Sequence, residues 1–207
     1  MPRSIRRFAT SGLTAALAIL LAASCDSPSS PRTGALSLSL TDAPGDLVTA
    51  VVTIDQIYLQ PGNDSTGGRF VIRDEDLTTD LLTLVGTTQA LVDSLQVPAG
   101  TYGQLRFVIT GGYIEVEQAG GGTLIYASSP TYAGLPAGAV VAGTLHMPSY
   151  ASSGLKVTLP SGTIVIAEGG FVQWVVDFDV SLSFGQAAGG SGNWVMTPVV
   201  HAVIPTP

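Results

Sequence analysis

From position 36 onward the chain alternates. Leu36, Leu38 and Leu40 are separated by Ser37, Ser39 and Thr41, and Leu155, Val157 and Leu159 by Lys156 and Thr158. Successive side chains on a strand point to opposite faces, so a period of two predicts strands with one apolar and one wetted face. The same reading predicts strands over 50–59, 69–73, 90–95, 102–110, 113–118, 123–127, 139–147, 163–167 and 194–204. Between Ile54 and Ile57 the alternation slips by one residue, which predicts a β-bulge near Asp55. The longest run is 171–184, with Val172, Trp174, Val176, Phe178, Val180, Leu182 and Phe184 in its apolar register and Gln173, Val175, Asp177, Asp179, Ser181 and Ser183 in the other, mostly wet one. A helical turn is expected only around 80–84. Many short strands parted by Gly, Pro, Ser and Asn predict an all-β protein, an antiparallel β-sandwich of immunoglobulin-like or prealbumin-like kind.

The first residues follow a different pattern. Arg3, Arg6 and Arg7 precede an apolar run over 13–23, and small residues lead to Cys25. The run is shorter than the roughly 20 residues that cross a bilayer, so it reads as a cleaved N-terminal signal peptide. Leu21-Ala22-Ala23-Ser24-Cys25 resembles a lipobox, although Ala22 stands where that signal favours Leu. In such signals the thiol receives a diacylglycerol and cleavage falls just before it. Cys25 is the only cysteine and so has no disulfide partner within the chain. Asp26-Ser27-Pro28-Ser29-Ser30-Pro31 then reads as a tether. The expected organisation is a lipoprotein signal peptide over 1–24, a lipidated Cys25 and flexible tether over 25–34, and a single β-sandwich domain over 35–207. Its expected place is the cell envelope, lipid-anchored to a membrane on the periplasmic or extracellular side.

Composition narrows the partners. The mature chain would keep five basic residues, Arg32, Arg69, Arg73, Arg106 and Lys156, against 15 acidic ones. Nucleic acid is excluded, because phosphate binding needs clustered cations. The charged fraction is 11%, under half the roughly 25% of ordinary soluble chains, so hydroxyls and backbone do much of the wetting.

An ordered set of motifs resembles the domain of unknown function 4382 family. They are Leu38-Ser39-Leu40-Thr41-Asp42-Ala43-Pro44, Val52-Thr53-Ile54-Asp55, Asp80-Leu81-Leu82, Val97-Pro98-Ala99-Gly100-Thr101-Tyr102 with Leu105-Arg106, Pro148-Ser149 with Gly154-Leu155-Lys156, Asp177-Phe178-Asp179 and Pro198-Val199. The resemblance implies an exported bacterial or archaeal protein, often a lipoprotein, and supplies no activity.

The candidate chemistry is sparse. Asp177 and Asp179 should point the same way about 6.6 Å apart along one strand. If the first strand lies beside theirs, Asp42 and Asp46 could join them, and a hard cation such as Ca²⁺ would use those oxygens. No other cofactor is expected. Trp194, Tyr126, Tyr132 and Tyr150 sit in or near Gly- and Ser-rich loops where exposed rings could stack on a glycan. Arg106 is expected to pair with a carboxylate at a buried edge. His146 and His201 lack zinc-ligand spacing, and Ser149 beside His146 lacks a Gly-x-Ser-x-Gly elbow. The expected function is a non-catalytic interaction or structural module. Its partners are the membrane, through lipid at Cys25, and an envelope protein. A glycan-binding module is the alternative, a hydrolase ranks last, and no catalytic residue is assigned.

Overall fold

In the computed structural model, which describes residues 32–43, 47–62, 68–147, 150–188 and 191–205, the alternating stretches are strands. In chain order these are β1 (Thr33–Ala43), β2 (Thr49–Pro61), β3 (Phe70–Arg73), β4 (Leu77–Asp80), β5 (Gln89–Pro98), β6 (Gly100–Glu117), β7 (Thr123–Ala127), β8 (Val141–His146), β9 (Leu155–Lys156), β10 (Ile164–Ile166), β11 (Phe171–Asp179), β12 (Phe184–Gln186), β13 (Trp194–Met196) and β14 (Val199–Val203). A 3-10 turn (Leu81–Leu84) falls where a turn was expected, capped by the Asp80 carboxylate accepting from the Leu82 N–H. Two one-turn helices complete the set, α1 (Tyr150–Ser153) and α2 (Val180–Ser183). No helix among the described residues is long and apolar enough to cross a membrane.

The strands form two sheets. The smaller has the order β14-β11-β1-β5; the larger runs β12-β13-β8-β7-β6-β2-β3, with β9 and β10 also on β6 and β4 on β2. The even residues of β1 and β11, from Leu36 to Leu40 and from Trp174 to Phe178, are buried against Ile54, Leu59, Leu105, Phe107 and Ile114 of the large sheet. One continuous core between two sheets is the sandwich that the period-two pattern predicts. The bulge is present as well: Ile54 faces Ile109 and Gln56 faces Val108, leaving Asp55 without a partner across the ladder.

Four features differ from expectation, the first being that the stretch expected over 194–204 is two strands, β13 in the large sheet and β14 in the small one. The sheets are mixed rather than antiparallel throughout, since β1 runs parallel to β11, β7 to β8, and β8 to β13. Parallel neighbours need a crossover of about a dozen residues; the loop over 128–140 supplies one between β7 and β8, and most of the chain separates β1 from β11. The two stretches expected over 102–110 and 113–118 are one strand, β6. Gly111 and Gly112 continue it because a side chain there would collide: a Cβ on Gly111 would lie 2.6 Å from the Tyr132 ring, and one on Gly112 2.6 Å from the Val51 carbonyl oxygen. Finally, the run expected over 171–184 breaks at α2. Asp179 accepts from the Leu182 N–H at 3.0 Å, and this cap turns the chain out of the sheet despite unbroken alternation.

Candidate functional site

The small sheet has two unlike ends. The proximal end is where the chain comes in, at Arg32 to Ala35, with the starts of β6 and β11 and the ends of β5 and β14 around it. The distal end carries the carboxylates. β1 and β11 are neighbours, and Thr41 faces Asp177, Asp42 faces Phe178 and Ala43 faces Asp179. Partners across a ladder share a face, so Asp42 points inward with Phe178 while Asp177 and Asp179 point outward. The strand adjacency needed for the cation set is thus present, and the register divides that set between two faces.

Each described carboxylate has its own surroundings. Asp42 is 5% exposed, and its Oδ1 accepts from the Val180 N–H at 3.1 Å, joining β1 to the start of α2. Asp179 caps α2 and also accepts from the Ser181 hydroxyl at 2.7 Å. Asp177 stands opposite the exposed His201 of β14. Its Oδ1 is buried with no hydrogen-bond partner among the described residues. Burial first, then the neighbouring charge of Asp179, raise its pKa above the usual 3.8, while His201 acts in the opposite direction. Asp46 lies outside the described residues. Among those described, no group of three or more His, Cys, Asp or Glu side chains is placed to hold a metal ion.

The aromatic candidates are not one surface. Tyr126 and Trp194 are half-buried on the inner side of the large sheet, their ring centroids 6.0 Å apart and tilted by 49°. Tyr132 belongs to a second, smaller apolar cluster with Val51, Tyr113 and Ala127 on the outer side of that sheet. Its ring lies 6.3 Å from that of Tyr113, and its hydroxyl meets the Thr53 hydroxyl, which also meets that of Thr78. The loop over 128–140 is therefore fastened down by its own tyrosine. The Tyr150 side chain lies outside the described residues.

The remaining polar candidates are dispersed. His146 is exposed at the end of β8, and Ser149 lies outside the described residues. Arg106 departs from the expected ion pair: its guanidinium donates to the carbonyl oxygens of Ser153 and Gly154, both at 2.9 Å, and to Gln104 Oε1 at 2.8 Å. Its work is to hold the segment leading into β9 against β6. Cys25 and the stretches 1–24 and 25–31 lie outside the described residues.

Sequence reasoning passed over the proximal corner between β10 and β11. A groove of about 360 Å³ opens there, with Val165, Phe171 and Ile204 on its rim and buried Trp174 behind them. The signal available in the sequence was Phe171, a large apolar residue on the register that is polar farther along the strand. The groove exists because β14 pairs only with Val175 to Asp179, leaving the first residues of β11 with β1 on one side alone.

A family model described as "Domain of unknown function (DUF4382)" matches residues 33–198. No curated protein and no solved structure matches the chain.

Proposed function

The chain belongs to the DUF4382 family, and from that premise we propose that it is an exported lipoprotein whose β-sandwich is a non-catalytic interaction or structural module held at a membrane by lipid on Cys25. The observation that carries this reading is where the fold begins. β1 starts at Thr33, a short polar stretch after Cys25, and goes directly to the centre of the small sheet between β11 and β5. A lipid at Cys25 therefore acts on a strand held from both sides, which suits an anchor that bears load. Acylation of this kind adds about 0.8 kcal/mol per buried methylene, and stable attachment needs more than one chain. The diacylglycerol of a processed lipobox cysteine meets that need.

The partner we infer is an envelope protein in preference to a glycan. Tyr126 and Trp194 turn toward each other and the core, and Tyr132 is used to fasten its loop. Stacking on a sugar needs free ring faces presented together. The carboxylates of Asp42 and Asp179 likewise serve to hold backbone N–H groups at the turn into α2.

The test is intact mass and detergent partitioning of the full chain expressed in a bacterial host, beside Cys25→Ala. A lipid-sized mass increment and partitioning into detergent, both lost in the variant, are expected. An unmodified, water-soluble product from both would overturn the anchor.

A further inference from the structure

We propose that the proximal corner of the sandwich is a bilayer-docking surface, with Phe171, Val165 and Ile204 resting in the interfacial region of the membrane that holds Cys25. This rests on the lipid-anchor reading and adds to it an orientation and a contact.

Three observations converge on lipid as the occupant. The first is apolar exposure. Phe171 is 60% exposed, Val165 62% and Ile204 63%, and with Val203 they make up four of the eight exposed large apolar residues among those described. Scattered single residues of this kind are ordinary, whereas a contiguous group marks a contact surface. The groove they border is lined by uncharged residues only, as immersion beside acyl chains requires.

The second is reach. Arg32 pairs with Glu168 at 3.5 Å, the Gly169 N–H donates to the Thr33 carbonyl at 2.8 Å, and the Ala35 N–H donates to the Gly170 carbonyl at 2.8 Å. The turn between β10 and β11 is thus bound to the residues where the chain comes in. From Cys25 to Arg32 is seven residues, at most about 25 Å when fully extended. An anchored Cys25 therefore keeps the end of the sandwich that carries this corner within about that distance of the bilayer.

The third is charge. At the proximal end Arg32 and Arg69 stand against the single described carboxylate Glu168. Asp42, Asp80, Glu115, Glu117, Asp177 and Asp179 lie toward the distal end, on β1, β4, β6 and β11, and Asp55, Asp74, Glu75, Asp76 and Asp93 lie between the two ends, Asp93 accepting from the Ser37 hydroxyl of β1. Anionic headgroups attract basic side chains and repel carboxylates. A strongly acidic domain is therefore oriented with the proximal corner down.

The test uses the mature lipoprotein, in which Cys25 is acylated and an introduced cysteine is the only free thiol. Phe171→Cys and, as a distal control, Leu182→Cys each receive an environment-sensitive fluorophore. Each is bound to vesicles of phosphatidylethanolamine with a minority of phosphatidylglycerol, with and without a lipid-borne quencher. The expected result is a blue shift and at least halved emission with quencher for the Phe171 label, and neither for the Leu182 label. Val165→Ser with Ile204→Ser should preserve the circular dichroism and vesicle flotation while returning the Phe171 label toward its aqueous spectrum. Flotation with an aqueous spectrum at Phe171 overturns docking and leaves the anchor standing. Absence of flotation overturns the anchor, and docking with it. A blue shift that grows with concentration in lipid-free Cys25→Ala, Phe171→Cys protein assigns the corner to a second copy of the chain and also overturns the proposal.

Discussion

Two phenylalanines stand seven positions apart on β11 and meet opposite fates. Phe178, at the distal end, is fully buried; Phe171, at the proximal end, is 60% exposed. Part of the difference is face, since Phe178 belongs to the inward register and Phe171 to the outward one. The rest is neighbourhood. At Phe178 the strand has β1 on one side and β14 on the other, whereas at Phe171 the β14 side is open. Alternation assigns a side chain to a face, and the extent of the flanking strands decides whether that stretch is closed in.

The sharpest way to break this comparison is truncation of each ring. Phe178→Ala should cost about 3–5 kcal/mol, the transfer of a large side chain plus the cavity it leaves, while Phe171→Ala should stay within about 0.5 kcal/mol. Denaturant unfolding of both variants beside wild type reads this directly. Equal costs would show that the proximal corner is closed in solution. A smaller effect is expected at Asp42, whose carboxylate satisfies the Val180 N–H from inside the sandwich. Asp42→Ala leaves a buried donor unpaired and should cost about 1–3 kcal/mol, with early loss of hydrogen-exchange protection at Val180.

The smallest effect has the opposite sign. Because the pKa of Asp177 is raised in the folded state, its contribution to stability is complete below 3.8 and is lost as pH rises through the elevated value. Asp177→Asn removes that loss along with the repulsion from Asp179. The variant should unfold at a higher denaturant concentration than wild type at pH 7, and the gain should vanish as pH falls toward 3.8. A gain independent of pH would point to packing rather than ionisation.

Much of the sandwich was legible because period two is written plainly in β1, β2 and β11, even to the bulge at Asp55. The failures arise where a specific contact outweighs the pattern. At Asp179 a short-range cap wins over continued alternation. At Gly111 and Gly112 a pair that reads as a break is the space that lets Tyr132 and the β2 backbone approach β6. The candidate carboxylates were legible as neighbours and illegible as a set, because residues 42 and 177 differ in parity and a parallel register then sends them to opposite faces. Nothing in the spacing of Tyr126, Tyr132 and Trp194 says on which side of the large sheet each ring lies. For Tyr132 that depends on the path of the loop over 128–140, and for Tyr126 and Trp194 on the register of β7 and β13 in the large sheet.

The position of β1 has a temporal consequence. The strand that is synthesised first occupies the middle of the small sheet, and its partners are β5 and, much later in the chain, β11, with Ala35 meeting Phe171. Loop closure over such a span precedes the contacts that reward it, which places folding among the slow, non-local topologies of milliseconds to seconds. Until the C-terminal third of the chain has emerged, the small sheet lacks half of its strands. The nascent polypeptide therefore carries β1 and β5 without β11 and β14 until that last third is made, and the small sheet is completed only at the end of synthesis.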